Sequence, residues 1–275
     1  MLEPADLVRL ASGRGVETLA LTDHDTLAGS GDAIAAGERS GVRVVPSIEL
    51  NTESAWGDVH VLGYLLDPSD ATLEDRLRWL RENRGRRIEL MIENLNRLGY
   101  PVSLERVIAI AKGDAALRAQ EPLPVGRPHL AQALVEAGHV RSYDEAFETL
   151  ISRDSPAYVA RVGLTPSEAV KLIVARGGAA SLAHPGTVNG LRELVPELVN
   201  EGLTGMEVYY PQHTAAWTAE LRTMADAFGL IATGGSDFHG RGEHGGPLGG
   251  SYVPDDSIAA LERSATIARQ RKVAT

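Results

Sequence analysis

The chain has 275 residues, is 43% hydrophobic, and carries a formal net charge of −10. This length suits one large α/β domain or one domain with an insertion, and the acidic balance excludes the broad basic footprint that long duplex nucleic acid requires. There is no cysteine, so disulfides and thiolate metal sites are excluded and any metal must use nitrogen and oxygen ligands. No apolar run approaches the roughly 18 residues of a membrane span. The opening Met1-Leu2-Glu3-Pro4 lacks the basic and apolar regions of a signal peptide, and the expected location is cytoplasmic.

Residues 4–13 read as a helix with Leu7, Val8, Leu10 and Ala11 on one face, ended by Gly13 and Gly15. Residues 17–22 form the first strand, and Leu19-Ala20-Leu21-Thr22 runs directly into Asp23-His24-Asp25. A buried strand that stops at ionisable residues is how an α/β fold presents ligands at strand ends. Burying two acids with a histidine is costly unless something pairs with them, and a metal ion would do so. An alanine-rich helix over 26–40 follows, then a strand over 42–49 ending in Glu49 and a third over 58–66 carrying His60. The alternation is that of a parallel sheet or barrel.

The pattern changes at Pro68. Residues 73–98 are helical, with an apolar stripe of Leu77, Leu80, Ile88, Met91, Ile92, Leu95 and Leu98. Arg76, Arg78, Arg81, Arg84, Arg86 and Arg87 read mostly as a solvated face, with a substrate-facing role open for one of them. Further helices are predicted at 103–111, 128–137 and 143–151, with a polar loop between the first two reaching about Pro124. The stretch 69–158 holds no strand candidate and reads as a helical insertion between barrel segments 1–68 and 159–275. Thr165-Pro166-Ser167-Glu168 then starts a helix to Arg176, with Thr as cap, Pro in the first turn and Glu at the third position. Strands at 179–183, 205–210 and 230–235 alternate with helices at 191–200 and 215–228. The first of these strands delivers His184-Pro185-Gly186 and the last Ser236-Asp237-Phe238-His239. The glycine-rich stretch 240–250 reads as a lid or a plain connection before a last helix from about Asp256.

His24, Glu49, His60, His184, Asp237 and His239 all fall at or near strand ends, where a barrel would gather them on one face. Any one of these histidines is more simply a satisfied structural residue, but unrelated core histidines have no reason to share strand termini. His/Asp/Glu without Cys suits Mn²⁺, Fe²⁺, Zn²⁺ or Mg²⁺. Bridging carboxylates permit several ions, whose chemistry is water activation and in-line displacement at phosphorus. Phosphoester hydrolysis is the natural reaction, with metal-dependent amide hydrolysis as an alternative. Arg127, in Gly126-Arg127-Pro128-His129, precedes a helix whose N–H groups could also meet a phosphate. Arg161 lies where the chain returns from the insertion. Both read equally well as surface arginines, and His213 and His244 read as loop histidines.

Together Leu21-Thr22-Asp23-His24-Asp25, Ile48-Glu49, His60-Val61-Leu62-Gly63-Tyr64, Gly126-Arg127-Pro128-His129, Ala183-His184-Pro185-Gly186 and Gly235-Ser236-Asp237-Phe238-His239 resemble the PHP (polymerase and histidinol phosphatase) superfamily, in family order. The insertion and its Gly-Arg-Pro-His resemble the branch of 3',5'-nucleoside bisphosphate phosphatases and 5'→3' exoribonucleases. The resemblance implies a distorted (β/α)₇ barrel and up to three divalent metal ions. It implies metal ligation by His24, Glu49 (bridging two ions), His60, His184, Asp237 and His239, with Asp23 and Asp25 orienting His24 or capping the next helix. It also implies substrate-phosphate contacts from Arg127 and Arg161, and a nucleotide or short RNA end as substrate. Family members open with a strand bearing Asp-x-His-x-His, and Met1 here falls just after that position. The expectation is a barrel lacking its first strand and up to three ligands, so that a non-catalytic or impaired metal- or nucleotide-binding module is the alternative to the phosphoesterase. Histidinol-phosphate hydrolysis is a further one.

Overall fold

A computed structural model describes residues 2–57, 59–113, 125–240 and 245–274. The polar loop expected up to about Pro124, and His244, lie outside them. The chain divides into two compact units, Met1–Glu74 with Leu164–Thr275, and Asp75–Gly163.

In chain order α1 (Pro4–Gly13), β1 (Thr18–Leu21), α2 (Ser30–Ser40), β2 (Arg43–Asn51) and β3 (His60–Tyr64) precede α3 (Ala71–Arg97), α4 (Leu104–Lys112), α5 (Arg127–Glu136) and α6 (Tyr143–Thr149). Then come α7 (Pro166–Ala175), β4 (Ala179–Leu182), α8 (Leu191–Asn200), β5 (Gly205–Tyr209), α9 (Ala215–Phe228), β6 (Ile231–Gly234) and α10 (Ser257–Ala274). The helix expected from Thr26 starts later. Asp25 takes a positive φ of 55°, and the Thr26 hydroxyl accepts the Ala28 N–H, so the chain turns before it coils. The Thr165 capping box forms as its sequence predicts, with reciprocal hydrogen bonds between Thr165 and Glu168.

In the first unit the strands form one sheet in the order β1-β2-β3-β4-β5-β6. The β1–β2, β4–β5 and β5–β6 pairs are parallel. β3 departs from the expected all-parallel pattern by running antiparallel to both β2 and β4. The connection 52–59 is too short for a parallel crossover, which needs roughly a dozen residues, so β2 and β3 must form a hairpin. Its register sets Asn51 opposite His60, and the first residue of β3 therefore lies beside the last of β2. The sheet curls: the rings of His24, after β1, and His239, after β6, are 6.3 Å apart. Among the described residues the architecture is thus a curled six-stranded sheet with β1 and β6 at its edges.

α1 and α2 cover one side of β1 and β2, with Val8, Ala11, Ala33 and Ala36 packed on Leu19, Leu21 and Val42. The stretch expected as a lid or connection is in part a packing segment, because Leu248 is buried in this same cluster. α10 sets Leu261 and Ala265 against Val45, Leu62 and Tyr64. Val45 and Glu49 share a face of β2 by the two-residue period of a strand. Gly63 lets α7 approach β3, since a Cβ there would lie 2.9 Å from Ile173 Cγ1.

The second unit contains no strand among its described residues. Its core joins Ile88, Met91 and Leu95 of α3 to Val107 of α4, Leu130 and Leu134 of α5, and Ala146 of α6. Not all arginines of α3 are solvated. Arg81 and Arg87 are 3% and 5% exposed. Arg87 Nε donates to Val159 O, and its guanidinium lies 5.0 Å from the Tyr158 ring centre. These two are the exceptions to the mostly solvated arginine face, Arg87 because residues 158–159 cover it.

His129 Nδ1 accepts the Gly126 N–H at 3.1 Å, which requires a neutral ring. Burial, reinforced by the nearby Arg84 charge, lowers its pKa to about 4. A depressed histidine pKa contributes stability that is present above the unfolded value near 6.5 and is lost as pH falls toward the folded value. Between pH 7.5 and pH 5, His129→Asn, which keeps an acceptor but does not titrate, should lose about 1–2 kcal/mol less stability than the parent chain. Urea denaturation at the two pH values measures the difference, and equal losses would refute it.

Candidate metal centre

β1 and β2 bring the first two site residues together through the backbone. Beyond β1 a parallel bridge joins His24 to Glu49, with Glu49 N–H donating to Asp23 O at 3.2 Å and Asp25 N–H to Glu49 O at 3.0 Å. Glu49 and Asn51 share a face of β2, and His60 lies opposite Asn51. The Glu49 carboxylate is 5% exposed, and its ion-pair partners are all imidazoles. His60 Nδ1 is 2.6 Å from Oε1, His184 Nε2 is 3.4 Å from Oε1, and His24 Nδ1 is 3.6 Å from Oε2. His24, Glu49 and His60 each offer a ligand atom within 4.8 Å of the others.

His184 follows β4, and its Nε2 lies 3.1 Å from His60 Nδ1. Asp237 and His239 follow β6. Asp237 accepts the Tyr210 hydroxyl at 3.1 Å, and His239 Nδ1 lies 3.5 Å from Asp237 Oδ1. Three residues here hold positive φ: Asp25 at 55°, His184 at 25° and Asp237 at 48°. Strained backbone of this kind persists where its surroundings over-determine it and clusters at functional sites.

The electrostatics follow from this packing. Burial works to raise the Glu49 pKa, but the His24 and His60 charges and the hydrogen bonds from His184 and His60 outweigh it and hold the carboxyl well below its usual range. Burial works to lower His184, yet its hydrogen bond to Glu49 and the charges of Glu49, Glu207 and Asp237 raise it to about 9. Burial raises Glu207 to about 7 despite the hydrogen bond from the His184 N–H, and burial followed by the Glu49 charge raises Asp237. The donor set fits a divalent metal ion. Imidazole nitrogens and carboxylate oxygens gather around the buried Glu49 side chain, without thiolate, and match the preferences of Mn²⁺, Fe²⁺, Zn²⁺ or Mg²⁺.

No family model matches the chain. Curated relatives do. A 3',5'-nucleoside bisphosphate phosphatase of Chromobacterium violaceum is 32% identical over 90% of this chain and 86% of its own length. A phosphoribosyl 1,2-cyclic phosphate 1,2-diphosphodiesterase of Eggerthella lenta is 34% identical over 84% and 86%. The 5'-3' exoribonuclease Rnm of Escherichia coli is 32% identical over 86% and 80%. A solved structure from Bifidobacterium adolescentis, assigned as a metal-dependent phosphoesterase, superposes with TM-score 0.84 and 29% identity over 96% of this chain and 91% of that one. The chain belongs to the PHP family of metal-dependent phosphoesterases.

For this PHP phosphoesterase the six residues singled out at strand ends lie in one cluster in the first unit. Arg127 and Arg161 belong to the second unit, where Arg127 opens α5 with its guanidinium 5.5 Å from the Phe147 ring centre. Sequence reasoning missed Glu207. Its only signal is an acid inside the otherwise apolar run Gly205-Met206-Glu207-Val208. Asn51 was missed as well, since only the pairing of the β1 end with β2 places it beside His24.

Asp25 orients His24 through Asn51 and does not cap a helix. It is 3% exposed, and its two oxygens accept the Asn51 N–H and Nδ2, each at 3.2 Å, while Asn51 Nδ2 lies 3.0 Å from His24 Nδ1. Asp25→Ala leaves these buried donors short of an acceptor and should cost about 1–3 kcal/mol. Asp25→Asn keeps an acceptor and tolerates left-handed backbone, so it should cost clearly less. Urea denaturation ranks the two, and an alanine variant as stable as the parent would contradict the assignment.

Proposed function

We propose that the chain hydrolyses a terminal phosphate ester of a nucleotide, of the 3',5'-bisphosphate type, or of a short RNA end, using divalent ions held by His24, Glu49, His60, His184, Asp237 and His239. The observation that carries this reading is the buried Glu49 carboxylate ringed by three imidazole nitrogens at strand ends. When bound, such ions supply Lewis acidity toward phosphate oxygens and an activated water. The protein's part is placement. Glu49 offers both oxygens to the cluster, a disposition that suits bridging. Asp25 and Asn51 fix the His24 ring, and the Glu207 carboxylate holds the His184 backbone at 2.7 Å. Arg127 and Arg161 are assigned to substrate phosphate on the family resemblance, as guanidinium donors of charge-assisted hydrogen bonds. The net charge of −10 suits a nucleotide or short strand end, with local arginines and metal ions meeting the anion, better than a long duplex. No described helix is long and apolar enough to cross a membrane, and a cytoplasmic setting is part of the proposal.

The relatives' names favour this substrate class, with one addition. The Eggerthella lenta relative acts on a cyclic phosphodiester, which makes ring opening followed by ester hydrolysis a second reading. The test is a Mn²⁺-supplemented assay of four probes: a nucleoside 3',5'-bisphosphate, a 5'-phosphorylated oligoribonucleotide, a ribose 1,2-cyclic phosphate and histidinol phosphate. Release of phosphate or mononucleotide from either of the first two, abolished by a chelator, is expected. Glu49→Gln should lower it by more than about 100-fold, beyond the 10–100-fold that loss of a residue merely supporting a ligand costs. Turnover confined to either of the last two would replace the reading. Bound metal without turnover of any probe would make the chain a binding module.

A further inference from the structure

We propose that Tyr210 and His213, at the end of β5, are positioning residues that hold the ligands delivered by the neighbouring strands β4 and β6. This rests on the metal-centre reading above. β5 is parallel to both neighbours, yet its end contributes none of the six proposed ligands.

The tautomer of His213 follows from its partners. Nδ1 lies 3.0 Å from Val208 O, a carbonyl that can only accept, so Nδ1 carries the proton. Nε2 then presents a lone pair, and the Gly186 N–H donates to it at 3.3 Å. The ring therefore ties β5 to the turn that begins at His184. The fit is close: a Cβ at Gly186 would fall 2.9 Å from His213 Cδ2 and Nε2 and 2.7 Å from Trp217 Nε1. His184 itself has φ 25° and ψ 57°, a conformation a non-glycine residue keeps only when held from outside. Tyr210 does the corresponding work on the other side. Its hydroxyl donates to Asp237 Oδ2 at 3.1 Å, and Asp237 has φ 48°. The Tyr210 ring lies 5.1 Å from that of His213 and 5.9 Å from that of His184. Each of the two strained residues that follow β4 and β6 thus has its own restraint from β5. Outer groups of this kind fix ligand orientation and set metal affinity. A histidine suits the first task because one rigid ring donates at one nitrogen and accepts at the other.

The experiment titrates Mn²⁺ calorimetrically into the full chain and its variants, alongside long-range ¹⁵N–¹H spectra of the metal-free protein. His213→Phe and Tyr210→Phe should each weaken binding about 10-fold. His213→Gln, which restores an acceptor for the Gly186 N–H, should recover most of the loss, a rescue that simple packing of the ring would not give. The spectra should show His213 protonated at Nδ1 and bare at Nε2. Parental affinity in both phenylalanine variants, or the opposite tautomer, would overturn the positioning role while leaving the metal centre standing. A parent chain that binds no Mn²⁺ would overturn the metal-centre reading and this inference with it.

Discussion

The Glu49 carboxylate, buried and paired with three imidazoles, is the constraint around which the first unit is arranged. A carboxylate out of water is costly unless its lone pairs are answered. Here the answers come from three strand termini: His24 after β1, His60 at the start of β3 and His184 after β4. Displacing any of those strands would expose part of the charge. The electrostatics record the bargain: Glu49 stays ionised despite its burial, and His184 holds its proton more tightly than a free imidazole. A cation that supplied the positive charge in place of that proton would leave the same groups as ligands.

Much of this was legible in the sequence, because the signals were local. The strands ending in Asp23-His24-Asp25, in His184 and in Ser236-Asp237-Phe238-His239 announced themselves by an apolar run stopping at ionisable groups, and the boundaries of α1, α8 and α9 fall where glycine and apolar periodicity put them. What stayed hidden depends on pairing. The antiparallel course of β3 could be inferred only from the shortness of 52–59, and Asn51 becomes a neighbour of His24 only once β1 and β2 are paired. Arg81 and Arg87 depart from the mostly solvated face for a related reason, since periodicity along one helix does not show what later segments cover it. His213 was a loop residue by its sequence, and only the proximity of Val208 O and the Gly186 N–H gives it a task.

The site therefore has two tiers with different origins. The inner groups are chosen for what they can bind, and ionisable side chains at strand ends are conspicuous. The outer groups, Asp25, Asn51, Glu207, Tyr210 and His213, are chosen for what they hold still, and each is inconspicuous until the fold is known. Backbone strain links the tiers. Asp25, His184 and Asp237 all take conformations that side chains rarely adopt, and each is engaged by an outer group or is one. A chain that only needed to fold would relax these positions, so their persistence marks where geometry has been kept at the expense of stability.

The hairpin between β2 and β3 carries a consequence for how such a chain can vary. Because side chains alternate along a strand, sliding β3 by a single residue would turn His60 from the Glu49 face to the opposite one. The connection is itself held in place, with Ser54 bridged to Gly57 and the Trp56 carbonyl accepting the Asn189 N–H. A change of length there keeps His60 on the Glu49 face only if the connection absorbs it and leaves the Asn51–His60 pairing in step. The short turn a few residues from the site thus sets the phase in which β3 presents its side chains.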